Sequence, residues 1–146
     1  MISTDKTASA PNPENENSGQ ARKLPDATEQ IQIAVQAALE RKAERIQVLN
    51  LGKISDFTDY FFICSGSNER QVQAIGDAVR RSLRKAGIHP LHSEGQNTGR
   101  WILLDFGGDL VIHIFLDETR RHYGLERLWG DAPDETERFL ENLPSA

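Results

Sequence analysis

The chain has one cysteine, Cys64, among its 146 residues, so no intramolecular disulfide is possible. Its stability must come from burial, and a reducing compartment, the cytoplasm, is the expected setting. Long apolar runs are also missing. No stretch approaches the roughly 18 apolar residues of a membrane span, and the opening MISTDKTASA lacks the apolar segment of a secretion signal. No membrane partner is expected. A basic excess is absent too: 17 Lys and Arg stand against 22 Asp and Glu, a net charge of -5 at pH 7. That balance argues against a protein that lives on a phosphate backbone, and predicts little direct RNA contact. It suits a basic partner, although an acidic balance is also ordinary for soluble proteins.

Several kinds of chemistry are missing as well. There is no GxxxxGK[ST], no GxGxxG and no G-x-S-x-G elbow. His89-x-x-His92 offers too few ligands for zinc, which takes four, or three and a water. Cys64 ends an apolar run and reads as a small buried filler rather than a nucleophile. His113 and Asp105 have no serine or cysteine placed to complete a triad. No catalytic residue, metal or cofactor is expected.

What is present fits one domain, 38% hydrophobic and 27% charged. Residues 1–26 are polar, contain Pro11, Pro13 and Pro25, and read as a disordered tail. Residues 27–146 read as the folded part. A first helix begins at Asp26 or Thr28, with Ile31, Val35, Ala38, Leu39 and Lys42 on one face. Strands follow over Ile46–Leu51 and Tyr60–Ser65, the second apolar enough to be buried on both faces. A long helix capped by Ser67 or Asn68 carries Val72, Ile75, Val79, Leu83 and Ala86, and ends where Gly87 supplies a left-handed residue. Arg80, Arg81, Arg84 and Lys85 near its end read as a solvated face that suits the helix dipole. IHPLHSE, broken by Pro90, is a short edge strand. A hairpin comes next. The chain closes with two short helices around Pro133, the first containing Gly124 at a cost of about 1 kcal/mol relative to alanine. This order, with hairpin and crossover connections mixed, is an α/β domain with a mixed sheet flanked by helices.

The hairpin, GRWILLDFGGDLVIHIF, is the most informative stretch. A three-residue turn at Gly107-Gly108-Asp109 sets Phe106 opposite Leu110, Leu104 opposite Ile112 and Ile102 opposite Ile114. These share one apolar face, which is core. The other face pairs Asp105 with Val111, Leu103 with His113 and Trp101 with Phe115. Either a helix covers it, with His113 and Asp105 making local hydrogen bonds at its margin, or part of it is open with Trp101 as an aromatic anchor for a partner. A one-residue bulge at the double glycine would exchange the faces of one strand.

SGSNER lies at a strand-to-helix turn, where anions bind, and is similar to the Gly-Ser turn that opens a helix in nucleotidyltransferases. Those enzymes follow it with paired strand aspartates that hold metal ions, whereas Asp77 here lies within a helix and has no D-x-D partner. A nucleotide-binding or nucleotidyltransferase-like enzyme using Ser65-Gly66-Ser67 is therefore the alternative rather than the leading reading.

Taken together, SDFTDYFFICSGSNERQVQAIGDAV, EGQNTGRWILLDFG, VIHIF and TRRHYGLERLWG resemble the ribosomal silencing factor family, also called iojap-like proteins, over about Thr28 to Asp131. The resemblance implies a nucleotidyltransferase-like fold without the catalytic aspartates and a homodimer. It also implies binding to the large ribosomal subunit through that subunit's fourteenth protein, which blocks joining of the small subunit and lowers translation when nutrients are short. On this footing the open-face reading is preferred, and partner binding is carried to Glu94, Trp101, Leu103, Asp105 and His113. Tyr123, Leu125, Leu128 and Trp129 match a further family motif and read first as packing. Two features depart from the family pattern. The hairpin has one glycine more than usual, which a bulge at the turn would accommodate, and Gly124 stands where an acidic or polar residue is usual.

Overall fold

In the computed structural model, which describes residues 23–143, Asp26 opens the first helix, α1 (Ala27–Glu40). Its side chain accepts from the Glu29 amide at 2.9 Å, while the Glu29 carboxylate accepts from the Asp26 amide at 2.9 Å. This reciprocal pair satisfies two of the amides that a helix start leaves unbonded. The tail read over 1–26 lies mostly outside the described residues. The buried stripe of α1 is Ile31, Ala34, Val35 and Ala38. Lys42 does not belong to it, because the helix ends at Glu40 and Lys42 sits exposed beyond the cap with φ 64°.

Two strands follow, β1 (Glu44–Asn50) and β2 (Tyr60–Gly66). Asn68 then caps α2 (Glu69–Lys85) by accepting from the Gln71 amide at 2.8 Å. Gly87 adopts φ 88° after that helix, as its position predicts. Next come a short strand β3 (His92–Glu94) and the hairpin strands β4 (Trp101–Asp105) and β5 (Leu110–Leu116). The sheet has five strands in the order β1-β2-β5-β4-β3. Only β2 and β5 run parallel; the other neighbours are antiparallel, so the sheet is mixed as expected. β2 is interior and buried on both faces, whereas β3 is an exposed edge.

The hairpin register holds at every expected pair: Trp101 with Phe115, Ile102 with Ile114, Leu103 with His113, Leu104 with Ile112 and Asp105 with Val111. The Phe106 amide donates to the Leu110 carbonyl at 2.9 Å, and the extra glycine is absorbed at Gly107, with φ 87°. Neither strand exchanges its faces. Ile102, Leu104, Leu110, Ile112 and Ile114 join α1 and α2 in the main core.

The C-terminal part differs from expectation. Gly124 does not sit inside a helix: at φ 56°, ψ 42° it ends α3 (Asp117–Tyr123) and precedes a single turn, α4 (Leu125–Leu128). A left-handed residue cannot continue a right-handed helix, so the chain is redirected there. The following segment crosses the second face of the sheet and reaches α5 (Thr136–Glu141), where Phe139 returns to the main core. Glu135 anchors this end. It accepts from the Arg138 guanidinium at 2.7 Å, the Asn50 amide group at 2.8 Å and the Tyr60 hydroxyl at 3.1 Å.

Candidate functional site

Strand register brings the expected binding residues onto one face. Residues directly opposite on neighbouring strands point the same way. One row therefore runs from Glu94 through Leu103 and His113 to Ile63 and Gln47. The next holds His92, Asp105, Val111, Phe61 and Leu49, and a third holds Trp101, Phe115 and Ser65. Glu94, Trp101, Leu103, Asp105 and His113 thus share the face opposite α1 and α2.

That face is neither wholly open nor wholly covered. On its β1–β2 side, Leu125, Trp129 and Ala132 pack over Leu49, Leu51, Phe61 and Ile63. Trp129 meets Phe61 edge to face at 5.8 Å. On its β3–β4 side the cover is thinner: Tyr123 of α3 meets Trp101, while Trp101, Leu103 and Asp105 are half-buried and Glu94 is exposed. The face is thus covered on one half and partly open on the other.

His113 lies on the covered half and is 6% exposed. Phe61 meets it edge-on at 4.7 Å and Phe115 stacks beside it at 6.0 Å. The Trp101 Nε1–H donates to its Nδ1 at 3.1 Å. Nδ1 is therefore the acceptor and the proton resides on Nε2, which is buried without a partner. Burial pushes the imidazole pKa down to about 4, so the ring is neutral at pH 7. Its observed role is to hold the Trp101 indole, since its own ring is buried. His113 and Asp105 do not bond to each other. Asp105 instead accepts from the Gly107 amide at 2.8 Å and closes the turn.

The indole is held on its other sides by Phe115, stacked at 4.9 Å, and by Tyr123 at 4.9 Å. Trp101 and Tyr123 line an open cleft of about 610 Å³ together with Leu116 and Thr119. Glu94 pairs with His92 at 2.6 Å on the edge strand. The backbone beyond it is tightly set. Gly95, at φ 87°, leaves no room for a Cβ against the Trp101 carbonyl oxygen, and a Cβ on Gly99 would lie 2.5 Å from the Glu69 carbonyl oxygen. The loop from Glu94 to Arg100 is thereby set against β4 at Gly95 and against the start of α2 at Gly99.

Three apolar contributors were not singled out from the sequence as surface. Tyr123, read first as packing, is 57% exposed, and Leu128 is 72% exposed, whereas Leu125 and Trp129 do pack. Phe57, 55% exposed on the loop before β2, lies 6.0 Å from Trp129 and extends the apolar surface. An aromatic in a loop rich in Asp and Ser was the available signal.

The Ser65-Gly66-Ser67 turn is occupied with its own structure. The Ser67 amide and hydroxyl donate to Gln71 Oε1 at 2.7 and 3.0 Å, and Ser65 Oγ accepts from the Arg120 guanidinium at 2.9 Å. Cys64 is buried, and burial pushes its thiol up to about 12. Among the described residues no group of three or more His, Cys, Asp or Glu is placed to hold a metal, and no helix is long and apolar enough to cross a membrane.

The family described as "Ribosomal silencing factor during starvation" matches residues 24–145. The chain belongs to the ribosomal silencing factor family. Two proteins named ribosomal silencing factor RsfS are similar to it. That of Halalkalibacterium halodurans is 44% identical over 105 residues, covering 72% of this chain and 89% of its own. That of Bacillus subtilis is 42% identical over 103 residues, covering 70% and 86%. A mouse protein named mitochondrial assembly of ribosomal large subunit protein 1 is 32% identical over 128 residues, covering 82% of this chain and 56% of the mouse protein. A crystal structure from Chromobacterium violaceum superposes with a TM-score of 0.70 at 32% identity, covering 73% of this chain and 88% of that one. The residues that the silencing factor resemblance points to, Glu94, Trp101, Leu103, Asp105 and His113, lie on one side of the sheet.

Proposed function

We propose that this chain silences translation by binding the large ribosomal subunit, through its fourteenth protein, with the open half-face around Trp101. So docked, it obstructs joining of the small subunit when nutrients are short. The observation that carries this reading is the arrangement at Trp101: a half-buried indole, locked by His113, Phe115 and Tyr123, beside half-buried Leu103 and exposed Glu94. A rigid aromatic beside apolar and acidic groups is what a protein interface uses as an anchor, since little rotamer freedom remains to be lost. Silencing of this kind needs no chemistry, because a docked domain excludes the other subunit by its volume. A standard interface of about 1,600 Å² in total would suffice.

The net charge of -5 supports a basic ribosomal protein as the main contact, with little contact to RNA. The name of the mouse relative supports the large subunit as the site of action. The exposed Phe57, Tyr123 and Leu128 supply apolar surface for the homodimer. A reduced, buried Cys64 suits the cytoplasm. The nucleotide-dependent alternative at Ser65-Gly66-Ser67 gains no support, since the donors of that turn are already engaged by Gln71.

Co-sedimentation with separated subunits tests the proposal. The expected result is binding to large subunits alone, with fewer joined ribosomes after small subunits are added. Binding to neither subunit, or to small subunits alone, would refute it.

A further inference from the structure

On the β1 side of the molecule, away from Trp101, four arginines surround an open pocket of about 410 Å³: Arg45, Arg120, Arg121 and Arg127, with Gly124 and Glu126 completing its wall. We infer that this pocket is a binding site for a diphosphate group, as carried by a nucleotide. The proposal is independent of the ribosome-binding face.

The arginines are brought together by three unusual backbone features. β1 carries a register shift between Glu44 and Gln47, and Arg45 within it adopts φ 53°, a region that residues with a Cβ seldom occupy. The bulge turns the Arg45 carbonyl inward to accept from Arg120 at 2.6 Å. Gly124, left-handed, turns the chain between α3 and α4. Its missing side chain leaves the space in which the Arg127 guanidinium folds back against the backbone. A left-handed non-glycine residue in a bulged strand and a left-handed glycine converge on one pocket, and backbone departures of this kind gather where a ligand is accommodated.

The charges do not cancel. Arg120 is buried and paired with Glu126 at 2.8 Å, so it serves as the fixed floor. Asp117 faces Arg45 at 2.7 Å and Arg121 at 3.5 Å, sharing one negative charge between two guanidinium groups. Arg127 has no carboxylate within ion-pair distance among the described residues. Four guanidinium groups against two carboxylates leave two positive charges in excess, in a chain whose net charge is -5. Arg45 and Arg121 remain 47% and 67% exposed, so their donors can turn to a ligand. Planar guanidinium groups bind phosphate oxygens through paired N–H bonds, and several spaced around one pocket match two linked phosphates better than one. The volume lies within the ~300–1,000 Å³ of small-molecule pockets.

Isothermal titration of the full chain with inorganic diphosphate at about 0.15 M salt tests the site, an ionic strength that screens diffuse surface attraction. The expected result is saturable binding at one site, about tenfold or more tighter than orthophosphate, and weakened about tenfold or more in R121A/R127A. These side chains lie at the rim, so the variant should keep the thermal midpoint of the parent. R84A/K85A, which removes equal charge from the end of α2, should bind as the parent does. Binding no tighter than orthophosphate, or equal losses in both double variants, would overturn the site in favour of unspecific charge. A parallel titration with a short single-stranded RNA separates the two sources of phosphate. RNA binding that depends on Arg121 and Arg127, without diphosphate binding, would overturn the proposal and assign the pocket to a nucleic-acid backbone.

Discussion

The Trp101 indole N–H donates to His113 Nδ1 at 3.1 Å, across the strand pair that carries both residues. The register places Leu103, not Trp101, directly opposite His113, so the bond runs diagonally to the next position along β4. It links a buried neutral imidazole to a half-buried aromatic at the rim of an open cleft. The polar residue that looks out of place in an apolar strand is thus the acceptor for a group that would otherwise be desolvated without a partner.

A pH dependence follows from the burial of this imidazole. In the unfolded chain the imidazole titrates near 6.5, whereas in the fold burial pushes it down to about 4. Between those values the unfolded state binds a proton that the native state refuses, so stability is complete above pH 6.5 and is lost as the pH falls towards 4. The loss amounts to about 3 kcal/mol at most. Urea unfolding measured from pH 7 to pH 4 should show that decline in the parent and a shallower one in His113→Phe. Parallel profiles for the two proteins would remove His113 as the cause.

How far this arrangement was legible in the sequence varied with the range of the interactions. The hairpin register followed from a three-residue turn and a period of two, which together fix every pair from Phe106 and Leu110 to Trp101 and Phe115. Gly87 was legible for a similar reason, since the apolar helical repeat stops just before it. Gly124 was not, because Arg120, Tyr123 and Leu128 continue a helical rhythm across it and only the backbone dihedral shows the break. Nor could periodicity tell that His113 is covered while Trp101 is half-open. That difference is made by Leu125 and Trp129, which arrive over β2 from the far end of the chain. The bulge at Arg45 left no mark in the sequence.

The fixed loop before β4 should tolerate no side chain at Gly95. A methyl group there would overlap the Trp101 carbonyl oxygen, and φ 87° is strained for any other residue. Gly95→Ala should therefore cost about 3 kcal/mol, the sum of a backbone penalty and a steric one. Gly108→Ala is the control, since nothing lies within 4 Å of a Cβ at that position, and its effect should stay within about 0.5 kcal/mol. Thermal unfolding of the two variants checks the contrast, and equal midpoints would contradict it.

Arg120 should be the costliest surface-remote charge to remove. It is 3% exposed and donates to Glu126, the Arg45 carbonyl and Ser65 Oγ at 2.8, 2.6 and 2.9 Å. Arg120→Ala strands a partly buried carboxylate and two acceptors, at a cost of about 3 kcal/mol or more. The acidity of Glu126 reports the same pairing. Burial acts to raise its pKa, but its own backbone amide, Arg120 and Arg45 together outweigh that and hold it below the usual carboxylate range. In Arg120→Ala the carboxyl should titrate higher by NMR. An unchanged titration together with an unchanged unfolding midpoint would show that the clasp contributes little.

Trp101 separates the binding role from a merely structural one. Its indole is half-buried, so a carboxylate at that position could reach water without entering the main core, which is formed by Ile102 and Leu104 on the opposite face. Trp101→Glu should therefore remain folded, and it should lose large-subunit binding by about 2 kcal/mol or more, roughly thirtyfold. His113→Phe supplies the second arm. It leaves the indole in place but removes its acceptor, so the ring is free to turn, and binding should weaken by less than in Trp101→Glu while the fluorescence of Trp101 shifts to the red. The two variants, measured by co-sedimentation alongside circular dichroism, discriminate three cases. Loss of binding in both, with folding retained, makes the pair an anchor and its clamp. Unfolding of Trp101→Glu makes the indole part of the apolar cluster around Phe61, Ile63 and Phe115, and the open half-face would then have to act through Leu103 and Glu94. Retained folding with parental binding in Trp101→Glu would place the ribosome contact elsewhere on the molecule, since no half-buried aromatic at the centre of an interface survives such a charge without loss.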